Sequence, residues 1–372
     1  MKKSFSSLLM AVVVALSFLS CSKDASDEEN IPVKLRYLIF IAYEDGTFSF
    51  SRSGLSFSLD EGRSWTALAA GGSTPVIPAG STILWKCSTP LSPKGAGGSE
   101  MMTGASGDVP LFESDDDDNM SVQAPATRSW ADAPGIGTFA SSGLFEARGN
   151  IMSLLYCDDG HRETSLDGKD YAFYGLFSSS KVVRADSLTL PTMTLPSWCY
   201  ATMFSGCTEL VAPPELPATS LAYFCYSKMF KGCTALADAP ELPATELAPD
   251  CYNGMFQECS ALTRAPELPA EWPAPDCYHG MFQYCTALET APVLPAGILT
   301  YGCYAYMFYG CSSLHYVRAA FTDMPDGDTT CTAYWLYGVA DSGAFVKSPD
   351  TLWDITGPHG IPSGWTVVTY TP

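Results

Sequence analysis

One spacing dominates this sequence of 372 residues: a motif recurs every 26 residues from Cys199 to Leu314. In its third copy the motif begins at Cys251, has Met-Phe at Met255, a second cysteine at Cys259 and a leucine at Leu262. A fixed period of about 20 to 50 residues without insertions is typical of identical supersecondary units stacked into a solenoid. Such an array offers a long surface for contacts and no obvious pocket for chemistry. The Met-Phe dipeptides begin at Met203, Met229, Met255, Met281 and Met307.

Each repeat has its own local pattern. Cys251, Met255 and Cys259 lie at positions i, i+4 and i+8, an apolar stripe at helical spacing, and this stripe predicts a short helix or helical turn. The segment 262–266 is short and bounded by proline, which predicts a brief strand that pairs with its copy in the next repeat. Prolines hold 267–274 extended. We therefore expect an α+β fold in which every repeat is strand, extended return and helix.

The ends of the array depart from the motif. Residues 172–177 stand in the Cys-Tyr-x-x-Met-Phe position one residue out of period, and Ser180 replaces the second cysteine. Terminal repeats are commonly atypical because they cover exposed core. The segment 321–372 drops the repeat altogether, and we expect it to be a C-terminal cap.

The repeat resembles a known family. Met-Phe-x-Gly-Cys-x-x-Leu, as in Met229–Leu236, is similar to the core of the BspA-like leucine-rich repeats of surface proteins from anaerobic Gram-negative bacteria. The flanks at 149–156 and 360–365 are also similar to those of that family, so that the resemblance covers about two thirds of the chain. It implies a leucine-rich-repeat solenoid, and it implies cell-surface adhesion and partner binding as the function. The polar stretch 88–135 is a departure from that pattern.

The N-terminus indicates export. Lys2 and Lys3 precede an apolar run at 8–19, which is too short to span a bilayer, and Cys21 follows. This layout predicts a lipoprotein signal peptide at 1–20, lipidation of Cys21 and a flexible tether at 21–32, with acyl chains as the only membrane contact. The alternative is an ordinary secreted protein cut near the same place. With the resemblance, the expected location is the outer membrane, at the cell surface.

Charge restricts the class of partner. Without residues 1–20 the chain has 18 basic and 40 acidic residues, a formal net charge of −22. Phosphate binding requires a basic surface, which argues against nucleic acid and anionic lipid as partners. The partner classes that remain are an extracellular protein and a glycan.

A β-rich N-terminal domain is expected at 33–160, before the repeats at 161–320. Turn residues at 44–46 and 60–63 predict two hairpins, and few large apolar residues occur in 88–135, which predicts a mobile insertion. The predicted strands are Leu38 to Tyr43, Thr47 to Arg52, Leu55 to Leu59, Ser64 to Leu68 and Thr82 to Cys87.

The repeat cysteines suggest packing more than disulfide or metal chemistry. Two cysteines of one repeat would lie about 12 Å apart along a helix, too far to bridge or to share a zinc ion. Equivalent cysteines of neighbouring repeats would lie about 4.8 Å apart, but five in a column cannot all pair. We expect reduced, buried cysteines. Disulfides that involve Cys87, Cys157 and Cys331 remain open, because an exported chain meets oxidising conditions.

Two other polar clusters could be functional sites, but each also has a simpler structural interpretation. Asp115 to Asp118 could hold calcium or could be a solvated acidic run, since it lacks the alternate spacing of a calcium loop. Asp158 and Asp159 with His161 could be part of an acid/base site or of a charged turn. No nucleophile elbow, phosphate loop or paired-histidine spacing occurs. We therefore expect no enzyme, with no catalytic residue, metal site or cofactor.

Binding candidates come from positions that vary among the repeats. Exposed tyrosines are enriched at recognition surfaces, and the last two repeats concentrate aromatic residues there. Alternatively, some of these rings pack under the cap beside Trp335. The leading hypothesis is binding of a macromolecular partner in adhesion or host interaction, and the alternative is a surface glycan-binding protein for nutrient capture. The candidate residues are His279, Tyr284, Tyr306, Tyr309, His315 and Tyr316.

Overall fold

The computed structural model describes residues 32–91, 135–322, 329–350 and 355–370. Cys21 and the acidic run 115–118 lie outside these ranges, as do residues 92–134 of the expected insertion. The described secondary structure is mostly strand with few helices. The elements are α1 (Val33–Arg36), β1 (Leu38–Ala42), β2 (Phe48–Phe50), β3 (Leu55–Ser58), β4 (Thr66–Leu68), β5 (Thr82–Cys87), β6 (Phe139–Ser141), β7 (Phe145–Asn150), α2 (Ser153–Tyr156), β8 (Val182–Thr189), β9 (Tyr316–Ala319), β10 (Gly343–Lys347), β11 (Trp365–Thr369) and two 3₁₀ helices, Cys157–Arg162 and Thr329–Thr332.

The N-terminal strands form a six-stranded sheet in the order β4-β3-β5-β1-β7-β8. The hairpin expected at 60–63 is confirmed, since β3 and β4 pair antiparallel. The hairpin expected at 44–46 is wrong. Both edges of β1 are occupied, by β5 and β7, so β2 pairs instead with β6 in a separate two-stranded sheet. The last strand, β8, belongs to the first repeat and pairs in parallel with β7. The sheet therefore continues from the N-terminal domain into the repeats, across the boundary expected at residue 160.

Within each repeat the expected helix is replaced by a chain of turns. In 251–259 the N–H of every odd residue bonds to the carbonyl three residues back, as Met255 does to Tyr252. The N–H of every even residue bonds to the next repeat, as Phe256 does to Met281 at 2.9 Å. An α-helix would instead use bonds to the residue four back.

The backbone explains why the helix does not form. Asp250, Gly254 and Glu258 all have positive φ, so every fourth residue leaves the right-handed helical region. The four-residue period survives in the turns, and the apolar stripe is therefore buried as expected: Cys251, Met255 and Cys259 are fully buried. The tyrosine and phenylalanine beside it stack from repeat to repeat, with ring centroids 5.6 Å apart for Phe230 and Phe256.

Two further lines of contact join the repeats. Arg264, inside the strand expected at 262–266, pairs in parallel with Asp238 of the preceding repeat, but as a single-residue bridge. The return segment also pairs, which the sequence analysis did not anticipate. Its bridges join Thr194, Ser220, Glu246 and Trp272 in turn.

The array extends further toward the C-terminus than expected. Residues 331–338 form the same turns, because Tyr304 donates to the carbonyl of Cys331 and Phe308 to that of Trp335. The interpretation that 321–372 drops the repeat altogether is therefore wrong; two additional residues shift this repeat out of the 26-residue period. β9, which precedes this repeat in the chain, and β10 and β11, which follow it, form a parallel sheet. At the other end, Ser180 lies beside Cys207 in the cysteine column, as expected.

The cysteines follow the packing interpretation. The ten repeat cysteines and Cys331 are buried and reduced, whereas Cys87 and Cys157 form a disulfide. The second cysteine of a repeat has an additional role: the Cys259 thiol donates a hydrogen bond to the carbonyl of Phe230 at 3.1 Å. Burial raises the pKa of the Cys259 thiol to about 12, which keeps the proton on the sulfur. These thiols therefore link neighbouring repeats.

Candidate binding surface

The structure divides the six candidate residues into two groups. His279, Tyr284, Tyr306 and Tyr309 lie together on the side of the repeats formed by the turns, where their rings contact one another. His315 and Tyr316 lie elsewhere, at the start of β9. They line a shallow depression together with residues of the loop before β10. The two groups therefore do not form one site.

The three tyrosines of the first group belong to a larger aromatic surface, the tyrosine strip, which consists of Tyr284, Tyr306, Tyr309, Tyr334 and Tyr337. Ring centroids are 5.5 Å apart between Tyr306 and Tyr334, and 5.4 Å apart between Tyr309 and Tyr337. Tyr284 meets Tyr309 edge to face at 5.5 Å. The strip thus extends across three successive repeats.

Sequence reasoning missed Tyr334 and Tyr337 because it placed them in a cap outside the array. A signal was present: Tyr334-x-x-Tyr337-Gly338 reproduces Tyr306-x-x-Tyr309-Gly310. Both missed side chains are exposed, Tyr337 by 51% of its surface.

The backbone beneath the strip is strained. Tyr284, Tyr306 and Tyr334 have φ of 60°, 55° and 49°. For a bulky residue this left-handed conformation is uncommon and costs on the order of 1 kcal/mol or more. Glycine takes the equivalent position in other repeats, as at Gly280 for Tyr306. Tyrosine at these positions therefore places an aromatic ring on the surface at a cost to the backbone.

One glycine makes room for the strip. A Cβ atom added at Gly310 would lie 2.5 Å from the ring of Tyr284, which shows that this ring lies directly over the glycine. A side chain at Gly310 would displace the ring.

Beside the strip, toward the N-terminus, the same side of the repeats is polar. His279 lies 3.4 Å from the carboxylate of Asp276, and its ring is 5.4 Å from that of Tyr306. One repeat earlier, partial burial raises the pKa of Asp250 to about 6, although a hydrogen bond from Asn253 opposes the shift. Burial also lowers the pKa of Lys228.

The alternative that these rings pack beside Trp335 is only partly correct. Trp335 is buried and stacks on Tyr304 in the core, 6.5 Å away. Tyr306 and Tyr309 instead contact Tyr334 and Tyr337 of the last repeat and stay half-exposed. The rings support one another and still face solvent.

Asp158 and His161 do not form an acid/base pair. Asp158 accepts hydrogen bonds from Tyr37 and Lys86, and these two bonds lower its pKa against the upward effect of partial burial. The His161 ring contacts the backbone carbonyl of Asp158. The cluster fastens the 3₁₀ helix to the sheet. No group of three potential metal ligands occurs among the described residues.

Within the described ranges, none of the helices has both the length and the apolar character needed to cross a membrane. Comparisons of the chain with protein-family models, curated proteins and solved structures give no match.

Proposed function

We propose that this chain is a BspA-like leucine-rich-repeat solenoid with a β-rich N-terminal domain, and that it acts by binding a macromolecular partner in adhesion or host interaction. A lipid on Cys21 would hold it at the outer membrane, facing outward. The observation that carries the binding proposal is the tyrosine strip, a continuous aromatic surface that spans three repeats.

The strip has the properties of a protein-recognition surface. Tyrosine gives large amphipathic contact area at a low cost in conformational entropy, and hot spots at interfaces are enriched in it. Ring contacts between repeats hold these side chains in place, so that less freedom is lost on binding.

The ring geometry favours a protein over a glycan at the strip. Tyr306 and Tyr334 stack with an interplanar angle of 22°, and Tyr309 and Tyr337 with one of 20°. In each stacked pair one face of each ring is covered by the other ring, which leaves fewer ring faces for a sugar. A sugar ring that stacks on an aromatic platform needs an accessible face.

The test replaces Tyr284 and Tyr306 together with glycine, a residue that their positive φ accommodates without strain. We expect binding to immobilised epithelial extracellular matrix to fall by at least about 30-fold, since the loss of even one hot-spot residue costs about 2 kcal/mol or more. The matched control replaces Thr202 and Glu258, which occupy the same two positions in earlier repeats and also have positive φ. Equal binding by both variants, or a glycan array that retains the protein through these tyrosines, contradicts the proposal.

The anchor has a separate test. Cys21→Ala should abolish acylation and release the protein from membranes. If the variant still partitions with membranes and native Cys21 carries no lipid mass, the lipoprotein proposal is wrong.

A further inference from the structure

A second surface lies on a different side of the repeats, formed by their extended return segments. We name it the return face: Glu215–Tyr223, Glu241–Pro249, Glu267–Pro275 and Val293–Tyr301. These four segments contain no lysine, arginine or histidine. Their carboxylates are all exposed, and they are Glu215, Glu241, Glu246, Glu267 and Glu271. The face is therefore of one sign and attracts cations.

A large aromatic residue is placed in this acidic surface. Trp272 is 70% exposed, although tryptophan is usually among the more buried side chains. It pairs in parallel with Glu246, so the two side chains point to the same side from adjacent strands. Glu271 precedes it in the chain and is also exposed.

The next repeat extends the apolar part of this surface. Ile298 is 58% exposed and Tyr301 is 63% exposed. The two repeats are in direct contact here, since the hydroxyl of Thr300 donates to the carbonyl of Pro273 at 3.1 Å. Ile298 takes the position of Trp272 in the next repeat and Tyr301 follows three residues later, and we call these three exposed side chains the patch.

The fold does not require these residue types. Thr194 and Ser220 occupy the position of Trp272 in earlier repeats and make the same bridge with small polar side chains. An exposed tryptophan at that position adds nothing to the backbone pairing. Its presence needs another explanation, and an external ligand supplies one.

We propose that the patch around Trp272 binds a protein segment that carries arginine or lysine side chains. The face of an indole ring attracts a guanidinium or ammonium group, and tryptophan does so best among the aromatic residues. Glu246 supplies a carboxylate on the same side as the ring, and arginine can bind a carboxylate through two parallel hydrogen bonds. Glu271, the chain neighbour of Trp272, adds to the negative charge around the patch. The acidic return face steers such a segment toward the patch. This surface is distinct from the tyrosine strip and goes beyond the function proposed above.

The test measures binding of a short synthetic peptide with several arginines to the intact protein by calorimetry, beside a peptide of the same sequence with neutral citrulline in each of those places. We expect the arginine peptide to bind at least about tenfold more tightly, with affinity that falls as salt rises from about 50 to about 200 mM. Trp272→Ala should weaken binding about tenfold, and Glu246→Gln with Glu271→Gln should weaken it to a similar extent. An unchanged melting temperature would show that these exposed substitutions leave the fold intact.

Two controls separate the patch from its surroundings. Glu289→Gln removes an exposed carboxylate outside the return face and should leave binding unchanged. The glycine variants at Tyr284 and Tyr306 should also bind the peptide normally, so that this proposal and the tyrosine strip can fail separately. Equal affinity for the citrulline peptide, equal loss with Glu289→Gln, or binding of a neutral oligosaccharide that Trp272→Ala abolishes would overturn the proposal.

Discussion

Asp250 makes the stability of the repeats depend on pH. Partial burial raises its pKa from 3.8 to about 6; the nearby Asp276 carboxyl acts in the same direction, and Lys228 and His279 oppose it. A carboxyl whose pKa is higher in the folded than in the unfolded state is most stabilising while protonated. Stability is therefore lost as pH rises from about 4 to about 6, and the full loss is about 3 kcal/mol from the difference between the two pKa values. About half of this loss is already present at pH 5.

Asp250→Asn removes the titration and keeps an oxygen that can accept the hydrogen bond from Asn253. We expect urea unfolding to show a variant that is more stable than the parent by about 3 kcal/mol above pH 7, with a difference about half as large near pH 5. The control is Asp238→Asn, an exposed carboxylate that pairs with Arg264, for which the difference should stay small. A gap that does not change between these pH values, or a parent that is more stable at neutral pH, would refute the reasoning.

Three further predictions concern the core and the cysteines. Phe256→Ala should lower the free energy of unfolding by about 3 to 5 kcal/mol through a cavity between Phe230 and Phe282, and an unchanged melting temperature would mean that the ring is not buried. Thiol titration in denaturant without reductant should find the eleven cysteines from Cys199 to Cys331 reduced and reactive. Ten of them in disulfides would contradict the packing interpretation. Replacement of Cys87 and Cys157 by serine should cost about 4 kcal/mol, because the bridge closes a loop across 70 residues of sequence separation; equal urea midpoints for parent and variant would exclude this.

Burial in the repeats could be predicted, but the backbone conformation could not. An apolar residue at every fourth position fits a helix, and it equally fits turns chained at four-residue intervals. A residue with positive φ in each turn distinguishes the chain of turns from a helix. The sequence indicates only some of these residues. Gly232 and Gly254 are suggestive, but Lys228 and Tyr306 are not residues from which positive φ would be inferred.

Two other differences have physical causes of their own. The repeat at 331–338 was missed because Trp335 takes the place of methionine and two extra residues shift its register. The pairing of β2 with β6 is a contact between residues about 90 positions apart, as between Phe50 and Phe139. Local turn signals contain no information about such a partner. At the binding surface, the sequence identified Tyr306 and Tyr309 but gave no sign that Trp272 would face solvent.

The alternation of hydrogen bonds in the turns has a consequence for the length of the protein. The N–H groups of Tyr252 and Phe256 reach Cys277 and Met281, and those of Tyr226 and Phe230 reach Cys251 and Met255 in the same way. Removal or duplication of one complete 26-residue unit would therefore reconnect the same donors to the same acceptors. An insertion within the turns would leave backbone donors without partners, whereas the two extra residues before Cys331 lie outside the turns and leave the bonds from Tyr304 and Phe308 intact. The array can thus become longer or shorter by whole repeats. The terminal units need not change when the length of the surface between them does.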